Sequence, residues 1–220
     1  MSTALAVAIA ALEGSVQSIW PVLASGASGP GAEVASRRIL FTSPRHGAGT
    51  TTLAACTAIS LCQNLRARVA LVEANPFQPA LAAYAGIPPA PGFADVMREK
   101  AAGDRVLRES AETGLSLVPG GSLGASEPID WRGANTRLLF EVELRKFPFA
   151  LIDAPPLLDR PAARLLLGFS DLTVLVVRAG VSSKDDTRLA AQVLRDSGVP
   201  FLGVILNRFR RPLRFAGLAG

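Results

Sequence analysis

The sequence has few of the residues that build covalent or metal cross-links. Among its 220 residues are two cysteines and one histidine, which excludes a disulfide scaffold and any Cys/His zinc cluster. Cys56 and Cys62 stand six apart in one predicted helix, on different faces, and read as buried thiols in a reducing compartment. Tyrosine occurs once, at Tyr84, and lysine three times against twenty arginines. The resulting net charge of +5 permits an anionic partner. No DNA-reading module accompanies it, so nucleic acid is not an expected partner. Long apolar runs are also missing. The run Ala4–Leu12 is too short to cross a bilayer. It lacks the basic start of a signal peptide, because the first thirteen residues contain no Lys or Arg. These absences predict a cytoplasmic protein. What is abundant is apolar side chain: 49% hydrophobic residues and a mean hydropathy of +0.32 exclude overall disorder. They suffice for one substantial core, or at most two small domains.

Four regions follow along the chain. Residues 1–21 are expected to form an N-terminal helix docked on the core or on a partner. A membrane-surface helix is the alternative, without a basic flank to support it. Residues 22–36 are a Gly/Ser/Ala linker, 37–208 the main domain, and 209–220 a basic tail. Within the domain, short apolar runs alternate with helical patterns. Strands are predicted at Ile39–Ser43, Val69–Glu73, Leu115–Pro119, Phe149–Asp153, Leu172–Arg178 and Phe201–Asn207. Helices are predicted at Thr51–Leu65, Phe93–Lys100, Asp104–Ser110, Asn135–Lys146, Arg160–Leu167 and Asp185–Asp196, with a Pro- and Ala-rich stretch over 74–92. Continuous apolar strands such as Val174-Leu175-Val176-Val177 are those of a sheet buried on both faces. The fold class is therefore α/β, a mostly parallel sheet wrapped by helices.

The candidate site lies between the first strand and the first helix. A Gly-rich turn that opens a helix offers inward N–H groups and the positive end of the helix dipole to an anion. The segment Thr42-Ser43-Pro44-Arg45-His46-Gly47-Ala48-Gly49-Thr50-Thr51-Thr52 occupies that place. Against the phosphate-loop pattern G-x-x-x-x-G-K-[ST], Gly49 and Thr51 fit. Pro44 replaces the first glycine, and Thr50 stands where the lysine belongs. A threonine hydroxyl does not supply the charge of that lysine. By itself the string fits a plain Gly-rich turn as well as an anion site.

Four further stretches accompany this loop. They are Leu71-Val72-Glu73-Ala74-Asn75-Pro76-Phe77-Gln78-Pro79, Gly92-Phe93-Ala94-Asp95-Val96-Met97, Leu151-Ile152-Asp153-Ala154-Pro155-Pro156 and Gly203-Val204-Ile205-Leu206-Asn207-Arg208. In order and spacing, all five elements resemble the MinD/ParA superfamily of phosphate-loop ATPases. Within it they are most similar to the tyrosine-kinase-like proteins of bacterial exopolysaccharide and capsule export. The resemblance covers about residues 37–208.

It implies a nucleotide site, ATP or ADP with Mg²⁺. Its cofactor-binding residues would be Arg45, Gly47, Ala48, Gly49, Thr50, Thr51, Thr52, Asn207 and Arg208, with Thr51 and Asp153 toward the metal and Asp153 and Glu73 as catalytic carboxylates. Asn207 would read the adenine edge, or else is a strand-end turn residue. Asp153 would hold a metal-bound water, or else caps the next turn. Arg45 would replace the missing lysine or reach across a homodimer, or else is a solvated loop residue. Lys184 is expected beside a helix N-cap, outside the site.

The departures from the family pattern cluster at the chemistry. Thr50, Glu73 and Asn75 stand where the family has lysine and two aspartates, and Phe77 and Gln78 where it has arginine. The ring-forming pattern before the first strand is missing, as is a tyrosine-rich tail. A degenerate member is therefore implied, a weak or inactive ATPase that does not phosphorylate its own tail. It would act as a regulatory or scaffold subunit beside a membrane polysaccharide synthase, exporter or chain-length regulator, peripheral to the inner membrane. The tail, Arg208-Phe209-Arg210-Arg211-Pro212-Leu213-Arg214-Phe215, is either a solvated end or a contact for anionic lipid. An active ATPase switch of the ParA positioning type is the alternative.

Overall fold

The computed structural model describes residues 36–109, 114–123 and 129–208. The expected helix at 1–21, most of the linker and the tail at 209–220 lie outside the described residues.

Seven strands form one sheet in the order β3-β4-β2-β5-β1-β6-β7. They are β1 (Arg37–Thr42), β2 (Val69–Glu73), β3 (Arg108–Glu109), β4 (Leu115–Val118), β5 (Phe149–Asp153), β6 (Leu172–Arg178) and β7 (Phe201–Asn207). All pairings are parallel except β3 with β4. The central strands bury both faces, as their unbroken apolar runs require. Period-two alternation sends Ile39 and Phe41 into one core and Leu40 into the other. Each fully buried Leu, Ile or Phe stabilises the fold by roughly 1.5–3 kcal/mol.

Helix α1 (Thr50–Leu65) covers the first core with Leu53, Ala54, Ala58 and Leu61. Its alanines let the helix approach the sheet closely. The other α-helices are α2 (Leu81–Ala85), α3 (Phe93–Met97), α4 (Gly103–Val106), α5 (Ala134–Leu138) and α6 (Lys184–Asp196).

Several predicted elements change form. The helix expected at Asp104–Ser110 ends at Val106, which is fully buried. Arg108 and Glu109 then pair antiparallel with Leu117 and Ser116 as a two-residue, charged edge strand, a form that discourages edge-to-edge association. The helix expected over Asn135–Lys146 is α-helical only to Leu138. It then widens into a π-turn at Leu139–Glu143 and tightens into a 3₁₀ turn at Leu144–Lys146. The two turns together deliver Leu139, Phe140 and Leu144, all fully buried, to one core. Arg160–Leu167 belongs to a 3₁₀ segment, Pro161–Phe169, whose three-residue repeat puts Leu166 and Phe169 on the same buried side. There Phe169 stacks on Phe140 at 4.8 Å. The Pro- and Ala-rich stretch contains α2, which local propensity does not announce. Both cysteines are buried and free, and burial pushes each thiol up to about 11.

Candidate functional site

The ends of β1, β2, β5 and β7 meet at the Gly-rich loop. Gly47 and Gly49 carry φ angles of 84° and 87°, a left-handed conformation that glycine adopts at little cost. Gly49 begins α1 without any side-chain cap. The N–H groups of Thr50, Thr51 and Thr52 are therefore the unpaired donors of a helix start. The loop is fastened to the exit of β5. Thr42 Oγ1 donates to Pro155 O at 2.8 Å, Leu157 N to Ser43 O at 2.9 Å and Leu158 N to Pro44 O at 3.2 Å. From the far edge of the sheet Asn207 Nδ2 donates to Ala48 O at 2.7 Å. Arg178 Nη1 donates to Gly47 O at 3.2 Å.

A pocket of about 200 Å³ opens over this loop. Ser43, His46 and Gly47 through Thr52 form one wall, and Asn75, Gln78, Ala80, Tyr84, Asp153, Ala154 and Pro156 the other. Drug-sized sites run to roughly 300–1,000 Å³, so this pocket suits the phosphate end of a ligand rather than a whole nucleotide.

Asp153 is 1% exposed at the end of β5. Burial pushes its carboxyl up to about 7; the Thr51 hydroxyl bonded to it opposes the rise, and the Glu73 charge adds to it. Asp153 Oδ2 has no partner. Asn75, 9% exposed, leaves its Oδ1 unpartnered as well. Two buried acceptor oxygens beside a threonine hydroxyl make a hard, oxygen-only donor set, which suits Mg²⁺.

The other sequence-predicted residues sit elsewhere. Glu73 is fully buried but is not on the pocket wall. Its carboxylate accepts from Ala80 N at 2.5 Å, Leu81 N at 3.0 Å and Gly120 N at 2.8 Å. It thereby caps α2 and fastens the β4 exit to the end of β2. Burial raises its carboxyl above the ordinary value, and the three N–H groups oppose that rise. Arg45 points away from the pocket. Its Nε and Nη2 pair with Asp186 at 3.0 and 3.1 Å, and its Nη1 with Asp159 at 2.9 Å. His46 N donates to Asp159 Oδ2 at 2.9 Å. Asn207 is buried beneath the loop, its amide engaged with Ala48. Arg208 is exposed in a left-handed conformation, φ 55°, and is not on the pocket wall. Lys184 is the first residue of α6, next to the N-cap Ser183, whose hydroxyl accepts from Asp186 N. Asn75 as an unpartnered acceptor, and Asp159, Arg178 and Asp186 as loop anchors, were not found by motif reasoning. The one available signal was Asp186 in the first turn of a capped helix.

No protein-family model matches the chain. It is 30% identical over 94 residues to the tyrosine-protein kinase CpsD of Streptococcus pneumoniae, 43% of this chain and 41% of that relative. The match therefore spans less than half of that relative's length. The tyrosine-protein kinase CpsD of Streptococcus agalactiae is 25% identical over 171 residues, 77% of this chain and 74% of that one. The solved VpsO kinase domain superposes with a TM-score of 0.74 at 21% identity, covering 94% of this chain and 96% of that one. The septum site-determining protein MinD of Pyrococcus horikoshii, solved with Mg-ADP, gives a TM-score of 0.63 at 27% identity over 81% of this chain and 73% of that one.

Proposed function

We propose, for a chain that belongs to the MinD/ParA superfamily of phosphate-loop proteins and is related to bacterial tyrosine kinases, a non-catalytic, nucleotide-responsive role. It serves as a regulatory or scaffold subunit in exopolysaccharide synthesis or export. Its partner is a membrane polysaccharide synthase, exporter or chain-length regulator, or a second copy of itself. The observation that carries this reading is the pocket wall: among the described residues it contains neither lysine nor arginine. Phosphoryl transfer depends on fixed positive charge at the transferring group, and each lost contact of that kind lowers the rate by roughly 10²–10³. Thr50 supplies a hydroxyl in place of the charge, and Arg45 is bound to two carboxylates outside the pocket. Where Mg²⁺ and nucleotide bind, Thr51 and Asp153 would hold the metal and the N–H groups of Gly49 to Thr52 the phosphates. The metal would there supply positive charge against the phosphate oxygens.

The test is ATP hydrolysis in Mg²⁺ by the whole chain, with intact-mass measurement of the product. Turnover at background and no added phosphate are expected. Tyr84, which lines the pocket and is 41% exposed, is where transfer would register. A mass shift that vanishes in Tyr84→Phe refutes the reading. Turnover that collapses in Asp153→Ala would instead favour an active ATPase switch. The 27% identity to MinD, solved with Mg-ADP, supports that second reading.

A further inference from the structure

The pocket presents an anion site and a deficit of positive charge side by side. Its loop offers the uncapped N–H groups of a sixteen-residue helix, which favour phosphate. Its opposite wall carries the buried and unpartnered oxygens of Asn75 and Asp153, which call for a donor or a cation. Neither arginine that touches the loop lines the wall: Arg45 pairs with Asp159 and Asp186, and Arg178 donates to the Gly47 carbonyl. An anion entering alone meets the unpartnered oxygens of that wall, and no lysine or arginine stands among the described lining residues. A cation entering first satisfies both orphan oxygens and the Thr51 hydroxyl, and turns the wall attractive.

We infer that phosphate binding here is strongly coupled to a divalent cation, which Asp153, Thr51 and the Asn75 amide oxygen hold and which takes the electrostatic place of the absent lysine at position 50. The inference rests on the nucleotide reading above and deepens it. Asn75 becomes a cation ligand of this chain. Nucleotide occupancy then follows the free cation concentration more steeply than in a lysine-bearing loop.

The experiment is calorimetric titration of the full chain with ADP, in Mg²⁺ and separately in EDTA. Binding that weakens by about 100-fold in EDTA, near the upper end of ordinary coupling between ligands, is expected. Thr50→Lys should bind ADP in EDTA and lose most of the Mg²⁺ dependence. Asn75→Ala should weaken ADP binding in Mg²⁺ and shrink the ratio of the Mg²⁺ affinity to the EDTA affinity. Circular dichroism verifies that both variants are folded. Equal affinity in Mg²⁺ and EDTA for the unaltered chain overturns the coupling and leaves the nucleotide reading standing. Thr50→Lys that stays fully Mg²⁺-dependent also overturns it. No binding by either chain in either buffer removes the nucleotide reading, and the coupling with it.

Discussion

Arg45 and Asp186 form a two-point pair across 141 residues of sequence, Nε to Oδ2 at 3.0 Å and Nη2 to Oδ1 at 3.1 Å. The same carboxylate accompanies the first turn of α6, and the same guanidinium reaches Asp159. The phosphate-loop shoulder is thus anchored to two elements that follow different strands. The pair holds Arg45 above its ordinary range and Asp186 below its own, mainly through these hydrogen bonds. Because the groups are exposed, their contribution to global stability is small and screened by salt. Arg45→Ala should therefore leave the melting temperature almost unchanged and accelerate amide exchange over residues 45–49. Unchanged exchange there would show that the backbone bonds to Leu157 and Leu158 hold the loop unaided.

Glu73 accepts three N–H groups, two of them buried and the third, from Ala80, partly buried. Glu73→Ala leaves all three without a partner, and each unsatisfied buried donor costs about 1–3 kcal/mol. A loss of at least about 3 kcal/mol in urea denaturation is expected on that basis. Glu73→Gln keeps one acceptor oxygen and should lose less. A small loss in Glu73→Ala would mean that water replaces the carboxylate.

The two buried acids give stability a definite pH slope. Folded, Asp153 keeps its proton to about pH 7, whereas its ordinary value is 3.8. Between those values the folded chain binds more protons, so stability falls as pH rises. The full benefit is present below 3.8 and is gone above about 7; its size is on the order of 4 kcal/mol. Glu73, also raised, adds a slope of the same sign above 4.5. Asp171, held below 3.8 by its bonds to Arg38 against the opposing effect of burial, acts oppositely, and its share is lost as pH falls below that value. Melting temperatures in EDTA should rise from about pH 8 to about pH 5 and turn down below about pH 4. Asp153→Asn should flatten the upper limb, and an unchanged limb would remove Asp153 as its source.

A Cβ at Gly49 would run into Asn207 Nδ2, in a backbone already at φ 87°. Gly49→Ala should destabilise the loop for both reasons. Asn207→Ala removes the obstacle together with the bond to Ala48. The double variant should be more stable than the sum of the two losses predicts, by an interaction of about 0.5–3 kcal/mol. Strict additivity would show that the left-handed backbone alone carries the cost.

Six of the seven strands were legible because they are largely apolar runs, and so was the loop–helix junction at Gly49; the charged edge strand β3 was expected as helix. Three further features escaped. The 3₁₀ and π turns near Phe169 and Leu139 arise from tertiary packing, which overrides local periodicity. Helix α2 is short and depends on Glu73, a carboxylate that its own sequence does not contain. The environment of Arg45 was hidden because its partners lie 114 and 141 residues away. Position in a motif shows where a residue starts, while its direction is set by charges that only the fold brings near.

The bond from Asn207 to Ala48 ties the phosphate loop to the last strand of the sheet, 159 residues later. On the ribosome, β1 and α1 emerge long before the residue that closes the loop from beneath. A chain that stops short of β7 lacks that tie, and its loop then rests on its remaining bonds, among them those to Pro155, Leu157, Leu158 and Arg178.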